Sequence, residues 1–181
     1  MPFLIFLVVS SGYLCSGRRG ESGMSKYESI QYMNVYSKRY DDIAPSDVGK
    51  CIEEFYRLFR NAGLIADGNL IYALNKIDEE KLSIEFMLCA KESRHKGVKK
   101  LTYRSYLMIS HMTSVVVKND YETNMEGAYL QLMKVARNNG MKIISPFYHE
   151  IVPRGKKAYC IVKVVVAKLK EKIDCGSEVS A

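Results

Sequence analysis

The stretch SDVGKCIEEFYRLFRNAGL, residues 46–64, and the stretch TNMEGAYLQLMKVARNNGM, residues 123–141, carry the same punctuation, and their agreement decides the fold. In the first, Val48, Ile52, Phe55, Leu58, Phe59 and Ala62 recur at the spacing of one buried helical stripe, and Gly63 stops it. In the second, Thr123 and Glu126 read as a capping box, the stripe runs through Met125, Tyr129, Leu132, Val135 and Ala136, and Gly140 is the stop. A displacement of 77 residues superposes the two without a gap, placing Ser46 on Thr123, Ile52 on Tyr129 and Gly63 on Gly140. The closing phrases Arg60-Asn61-Ala62-Gly63-Leu64 and Arg137-Asn138-Asn139-Gly140-Met141 agree as well, each a basic and polar last turn that suits a helix C-terminus.

Outward from these helices the pattern turns to strands. Leu70 to Ile77 and Lys81 to Leu88 follow the first helix, and Phe147 to Val152 and Ala158 to Val166 follow the second, each pair joined by a polar turn of hairpin length. Ile30 to Tyr40 and His111 to Lys118 precede the helices, and Tyr103 to Ser110 adds a further strand at the junction. The expected fold class is α+β: a tandem duplication of a βαββ unit, halves about 29–90 and 101–167, forming a pseudo-twofold antiparallel sheet with two helices on one face. The charged stretch Lys91 to Lys100 is the expected connector.

Composition is that of one ordinary globular domain: 181 residues, 48% hydrophobic and 26% charged. The net charge of +7 is modest, with lysine tracts at Lys96 to Lys100 and Lys168 to Lys172, so specific nucleic-acid binding is not expected. Five cysteines, Cys15, Cys51, Cys89, Cys160 and Cys175, include no Cys-x-x-Cys pair, which fits a reducing, cytoplasmic compartment. His95, His111 and His149 lie too far apart in sequence to read as a metal motif, and neither metal nor cofactor is expected.

Residues 1–23 are expected to be a non-native or disordered leader. The apolar run Phe3 to Val9 is too short to span a bilayer and lacks the preceding positive charge of a signal peptide, so no membrane association is expected. Arg18-Arg19-Gly20-Glu21 can be encoded by a purine-rich, ribosome-binding stretch, which makes Met24 the expected start. The basic segment 168–181 is expected to be a flexible tail.

Two paired half-sheets leave a cleft between lobes. The residues expected to line it are Tyr72, Asn75 and Glu85 from the first half and Phe147, Tyr148, Glu150 and Tyr159 from the second, near His149. Aromatic rings supply contact area and a carboxylate, Glu150 first and Glu85 next, attracts a cationic or amine-bearing ligand. Strand tyrosines ordinarily serve sheet packing, and each of these residues has that plainer use too. His149 and Glu150 point to opposite faces and do not form a dyad. With no nucleophile elbow, phosphate-cradling loop or metal motif, the chain reads as a binding module and not an enzyme; a cleft Glu and Tyr performing acid–base hydrolysis is the alternative.

This repeated strand-helix-strand-strand pattern resembles the gyrase-inhibitor-like effector-binding superfamily, which implies a ligand cleft between the units. Asn34-Val35-Tyr36-Ser37-Lys38-Arg39-Tyr40, Tyr72-Ala73-Leu74-Asn75, Ser83-Ile84-Glu85-Phe86-Met87 and Ser145-Pro146-Phe147-Tyr148-His149 are similar to phrases of an uncharacterised family of small Gram-positive proteins encoded in type VII secretion loci near LXG toxins. That resemblance implies a cytosolic accessory or chaperone whose partner is a secreted toxin or type VII targeting protein. The alternative is an effector-binding protein that takes a small hydrophobic or cationic ligand in the cleft.

Overall fold

The structure, a computed structural model, describes residues 26–77, 81–91, 97–118, 121–155 and 157–168. The expected leader over 1–23, the tail beyond Lys168 and residues 92–96 of the expected connector lie outside the described residues. The chain runs β1 (Lys26–Ile43), α1 (Val48–Asn61), β2 (Leu70–Ile77), β3 (Leu82–Cys89), β4 (Thr102–Val117), α2 (Tyr121–Asn138), β5 (Lys142–Ile143), β6 (Phe147–Arg154) and β7 (Lys157–Ala167). The fold is α+β: the described residues form one seven-stranded antiparallel sheet with two α-helices.

The strand order is β4-β1-β3-β2-β6-β7-β5, and β4 also pairs with β7, so the pairings run in a closed circle. Closure separates an outer face from an inner one. Both helices pack on the outer face: Val48, Phe55 and Phe59 of α1 and Ala128 and Leu132 of α2 join one core with Tyr36, Phe86, Val162 and other strand residues. A smaller apolar cluster, with Ile30, Val35, Ile71, Met87 and Met112 among its members, occupies the inner face. Because each side of β3 meets a core, its sequence is nearly apolar throughout, with Ile84 and Phe86 toward the helices and Met87 and Cys89 inward.

The helix stops act as their glycines imply. Gly63 and Gly140 have φ of 66° and 62°, a region open to glycine at little cost. Gly63 N–H donates to Arg60 O and Leu64 N–H to Phe59 O; Gly140 donates to Arg137 and Met141 to Ala136 in the same pattern. These are two Schellman motifs, each closed by an apolar residue just past the glycine.

Two expectations are corrected. Tyr103 to Ser110 and His111 to Lys118 are one strand, β4, which continues through His111 at φ 59°, just as β1 continues through Asn34 at φ 54°. Backbone reversal at a single residue lets a long strand bend and serve two neighbours: β1 pairs with β4 and then β3, and β4 with β1 and then β7. Helix α2 begins at Tyr121, so Thr123 lies within its first turn and not at the cap.

Candidate functional site

Alternation along β6 sends Phe147, His149 and Ile151 outward and Tyr148 and Glu150 inward; along β2, Tyr72 goes outward and Ile71 and Ala73 inward. The strands therefore build two different polar groups on two faces.

On the outer face, beneath α2, His149 is fully buried and its ring stacks on that of Tyr72, centroids 4.2 Å apart. Its Nε2 lies 2.7 Å from the hydroxyl of Tyr129, on α2, whose ring also packs on Phe147. Burial pushes the His149 imidazole down to about 3, against a smaller opposing effect of the Tyr72 and Phe147 backbones, so it is neutral at ordinary pH. This group fastens a helix to the sheet.

On the inner face, Glu150 is held from three sides. Tyr32 Oη and Asn69 Nδ2 donate to its Oε1 at 2.9 and 2.8 Å, and Lys163 Nζ donates to its Oε2 at 2.8 Å. Glu150 and Lys163 are only 8% and 7% exposed, so each ion needs its partner. Burial pushes the Glu150 carboxyl upward, but the Lys163 charge and the three hydrogen bonds outweigh it and leave the group below its ordinary range. Lys163 also lies 3.5 Å from Glu28, so two carboxylates share one ammonium and the group carries one excess negative charge. Gly68, at φ 119° and beside the Tyr32 ring, turns the chain so that Asn69 reaches Glu150.

A second ionic group stands across the same face. Arg104 Nη1 donates to Glu85 Oε1 at 2.8 Å and to Ser37 Oγ at 2.9 Å. Tyr148, opposite Ala73 in the β2–β6 register, lies between the groups; its hydroxyl is pushed up by burial and then by Glu85, with Arg104 opposing.

The residues expected from sequence are thus divided. Glu85, Tyr148 and Glu150 come together on the inner face, and alternation with Cys160 puts Tyr159, half-buried opposite Val152, on that side as well. Tyr72 and Phe147 lie on the outer face under α2. Asn75 is exposed, at an irregularity of the β2–β3 register. Sequence reasoning missed Tyr32, Asn69, Arg104, Glu28 and Lys163. A signal existed for the last: Lys163 is the one charged residue between Ala158 and Ala167, and a charge inside such an apolar strand requires a buried counter-ion.

Among the described residues, no three His, Cys, Asp or Glu side chains are grouped to hold a metal ion, and no helix is long and apolar enough to cross a membrane.

Helices outside a closed antiparallel sheet and a paired ionic group inside it define a small α+β domain with a polar inner face. The family model described as a domain of unknown function, DUF5085, matches residues 31–169, and the chain belongs to that family. No curated protein matches it. Among solved structures, the chain is similar in fold to the EcmrR C-terminal domain, with TM-score 0.63 and 18% identity over 82% of this chain and 99% of that one. In a cryo-EM structure of an EcmrR–DNA complex the TM-score is 0.62 at 18% identity, over 79% of this chain, which spans 58% of the EcmrR chain. A hydrolase from Listeria innocua aligns with TM-score 0.51 and 9% identity, over 78% of this chain and 92% of that one. At such identities the likeness is one of fold.

Proposed function

We propose that this protein is a non-enzymatic, cytoplasmic binding module whose inner face receives a small amphipathic amine. The observation that carries this is the group around Glu150: a buried carboxylate, already oriented by Tyr32 and Asn69, in a cluster with one negative charge in excess and, on the same face, the partly buried apolar side chains of Leu107, Ile109 and Tyr148. Apolar side chains favour the ligand's hydrocarbon part and the excess charge favours its ammonium. The fold likeness to the EcmrR C-terminal domain supports a gyrase-inhibitor-like arrangement, and free Cys51, Cys89 and Cys160 agree with a reducing compartment.

A tandem duplication is the origin that accounts best for such a face. Register partners support it: Asn34 and His111, 77 residues apart, share the same backbone reversal, and Tyr72 and His149, also 77 apart, face each other directly. The displacement becomes 76 at the last strand, since Ile71 pairs with Met87 while Tyr148 pairs with Lys163.

The test is a thermal-shift titration with alkylamines of increasing chain length. Binding to the folded state raises the melting temperature; Glu150→Gln should remove the shift, and an unchanged shift in that variant would exclude the inner face. A second reading, an accessory for a type VII-secreted toxin, is favoured by Met33, Tyr106 and Met108, which stand exposed on one side of the β1–β4 ribbon. Pull-down from the native host decides it: recovery of an LXG-type protein that Met33→Ser/Tyr106→Ser no longer captures supports this role, and its absence counts against it.

A further inference from the structure

The inner face holds two ionic groups, and what each shows to the outside differs from what lies beneath. At the first, Lys163 and Glu150 have side chains only 9% and 10% exposed, while Glu28 is 31% exposed. A molecule arriving there meets a carboxylate. At the second the order is reversed: Glu85 is 19% exposed and Arg104 is 38% exposed, so the arriving molecule meets a guanidinium. Both bonds of Arg104 to Glu85 and Ser37 are made by Nη1, on one side of a planar group that carries five N–H donors.

The register traces the path between the groups. Glu150 faces Ile71, Ile71 faces Met87, and Met87 faces Ser37, the residue to which Arg104 is bonded. Three steps between neighbouring strands trace about 14 Å along the curved sheet, an upper bound on the separation across its inner face. The span between is apolar: Ile71, Ala73 and Met87 form its buried floor, and half-buried Tyr148 presents its accessible surface.

We infer that the inner face takes an elongated amphipathic molecule with an amine at one end and a carboxylate at the other, Arg104 being the residue that selects the acidic end. This rests on the inner face being the ligand site. The amine pairs with Glu28 and the Glu150 group, the hydrocarbon lies along the half-buried Tyr148, and the carboxylate takes the planar donors of Arg104, a geometry suited to two parallel hydrogen bonds.

Isothermal titration calorimetry with dodecylamine, dodecanoic acid and ω-aminododecanoic acid, each below its aggregation concentration, tests this. The expected result is that ω-aminododecanoic acid binds roughly tenfold or more tighter than dodecylamine, as a charge-assisted hydrogen bond implies, and that dodecanoic acid binds more weakly than either. In the double variant Glu85→Gln/Arg104→Met, which removes the ion pair without stranding a charge, the advantage of the amino acid over the amine should fall to about one. Arg104→Lys should keep only part of it, because the planar fork is lost. Equal affinity of amine and amino acid for the natural chain, or an undiminished advantage in the double variant, would overturn the assignment of Arg104 while leaving the amine site standing. Failure of all three probes to bind would overturn the ligand site and the inference together.

Discussion

The imidazole of His149 lies flat against the phenol ring of Tyr72, with centroids 4.2 Å apart and planes 2° from parallel, on residues that are direct register partners of β6 and β2. With Tyr129 of α2 closing the third side, the imidazole is fully enclosed, and burial disfavours its charged form.

Stability should therefore fall as the pH drops below the ordinary histidine range. The unfolded chain protonates His149 near 6.5, whereas the folded chain resists until about 3, so the unfolded state binds the extra proton throughout that interval and is favoured by it. Stability is complete above 6.5 and declines as the pH drops, by about 2 kcal/mol between pH 7 and pH 5. Glu150 acts in the same direction at lower pH: its contribution is present above its ordinary value of 4.5 and is lost as the pH falls through its lower folded value. Urea titrations at pH 7, 6 and 5 measure the slope, and His149→Phe should flatten it; an equal slope in that variant would assign the acid sensitivity elsewhere.

Removing one member of the inner ion pair should cost more than removing both. Lys163→Met leaves Glu150 charged, buried and short of its counter-ion, a loss of about 3 kcal/mol or more, whereas Glu150→Gln/Lys163→Met should recover much of it. Chemical denaturation of the natural chain, both singles and the double completes the cycle. A double variant less stable than the worse single would contradict the buried pairing.

The two helix stops should respond alike. A methyl group at Gly63 or Gly140 would meet nothing within 4 Å, so the cost of Gly63→Ala or Gly140→Ala is set by the backbone alone. Each should lose about 1 kcal/mol, the cost of a left-handed residue with a side chain. Thermal melts of both variants should shift by similar amounts, and a neutral effect at either would mean that its helix end reorganises.

Cysteine labelling should be selective. Burial pushes the thiols of Cys89 and Cys160 up to about 12, and both are enclosed, whereas Cys51 on α1 is only partly covered. Brief treatment with a maleimide at neutral pH, followed by peptide mapping, should mark Cys51 ahead of Cys89 and Cys160; all three should react once the chain is unfolded. Rapid native labelling of Cys160 would be incompatible with its place in the helix-side core.

The helices and their stops were legible in sequence because their determinants are local. The stripe from Val48 to Ala62 specifies its own periodicity, and Gly63 and Gly140 each bond a carbonyl three residues back while the residue after each bonds one five residues back. The bend in β4 was not legible, because His111 reverses the backbone without being glycine and reads as a strand boundary. Alternation separates His149 from Glu150, but both faces of β6 are covered, so a period of two does not say which row faces inward. The partners of Glu150 come from β1, the turn before β2, and β7, as much as 118 residues away in sequence, and only the closed sheet brings them together.

The circular order of pairing also governs how the chain can acquire its structure during synthesis. β1 lies against β4, β2 against β6, and β4 against β7, so each half of the chain finds neighbours in the other. Helix α1 can form early, but its sheet is unfinished until the C-terminal strand has left the ribosome. A nascent chain halted after β3 would present Phe55, Phe59 and Phe86 on a partial core, the kind of exposed intermediate that chaperones retain and that makes long-range sheets slow to mature.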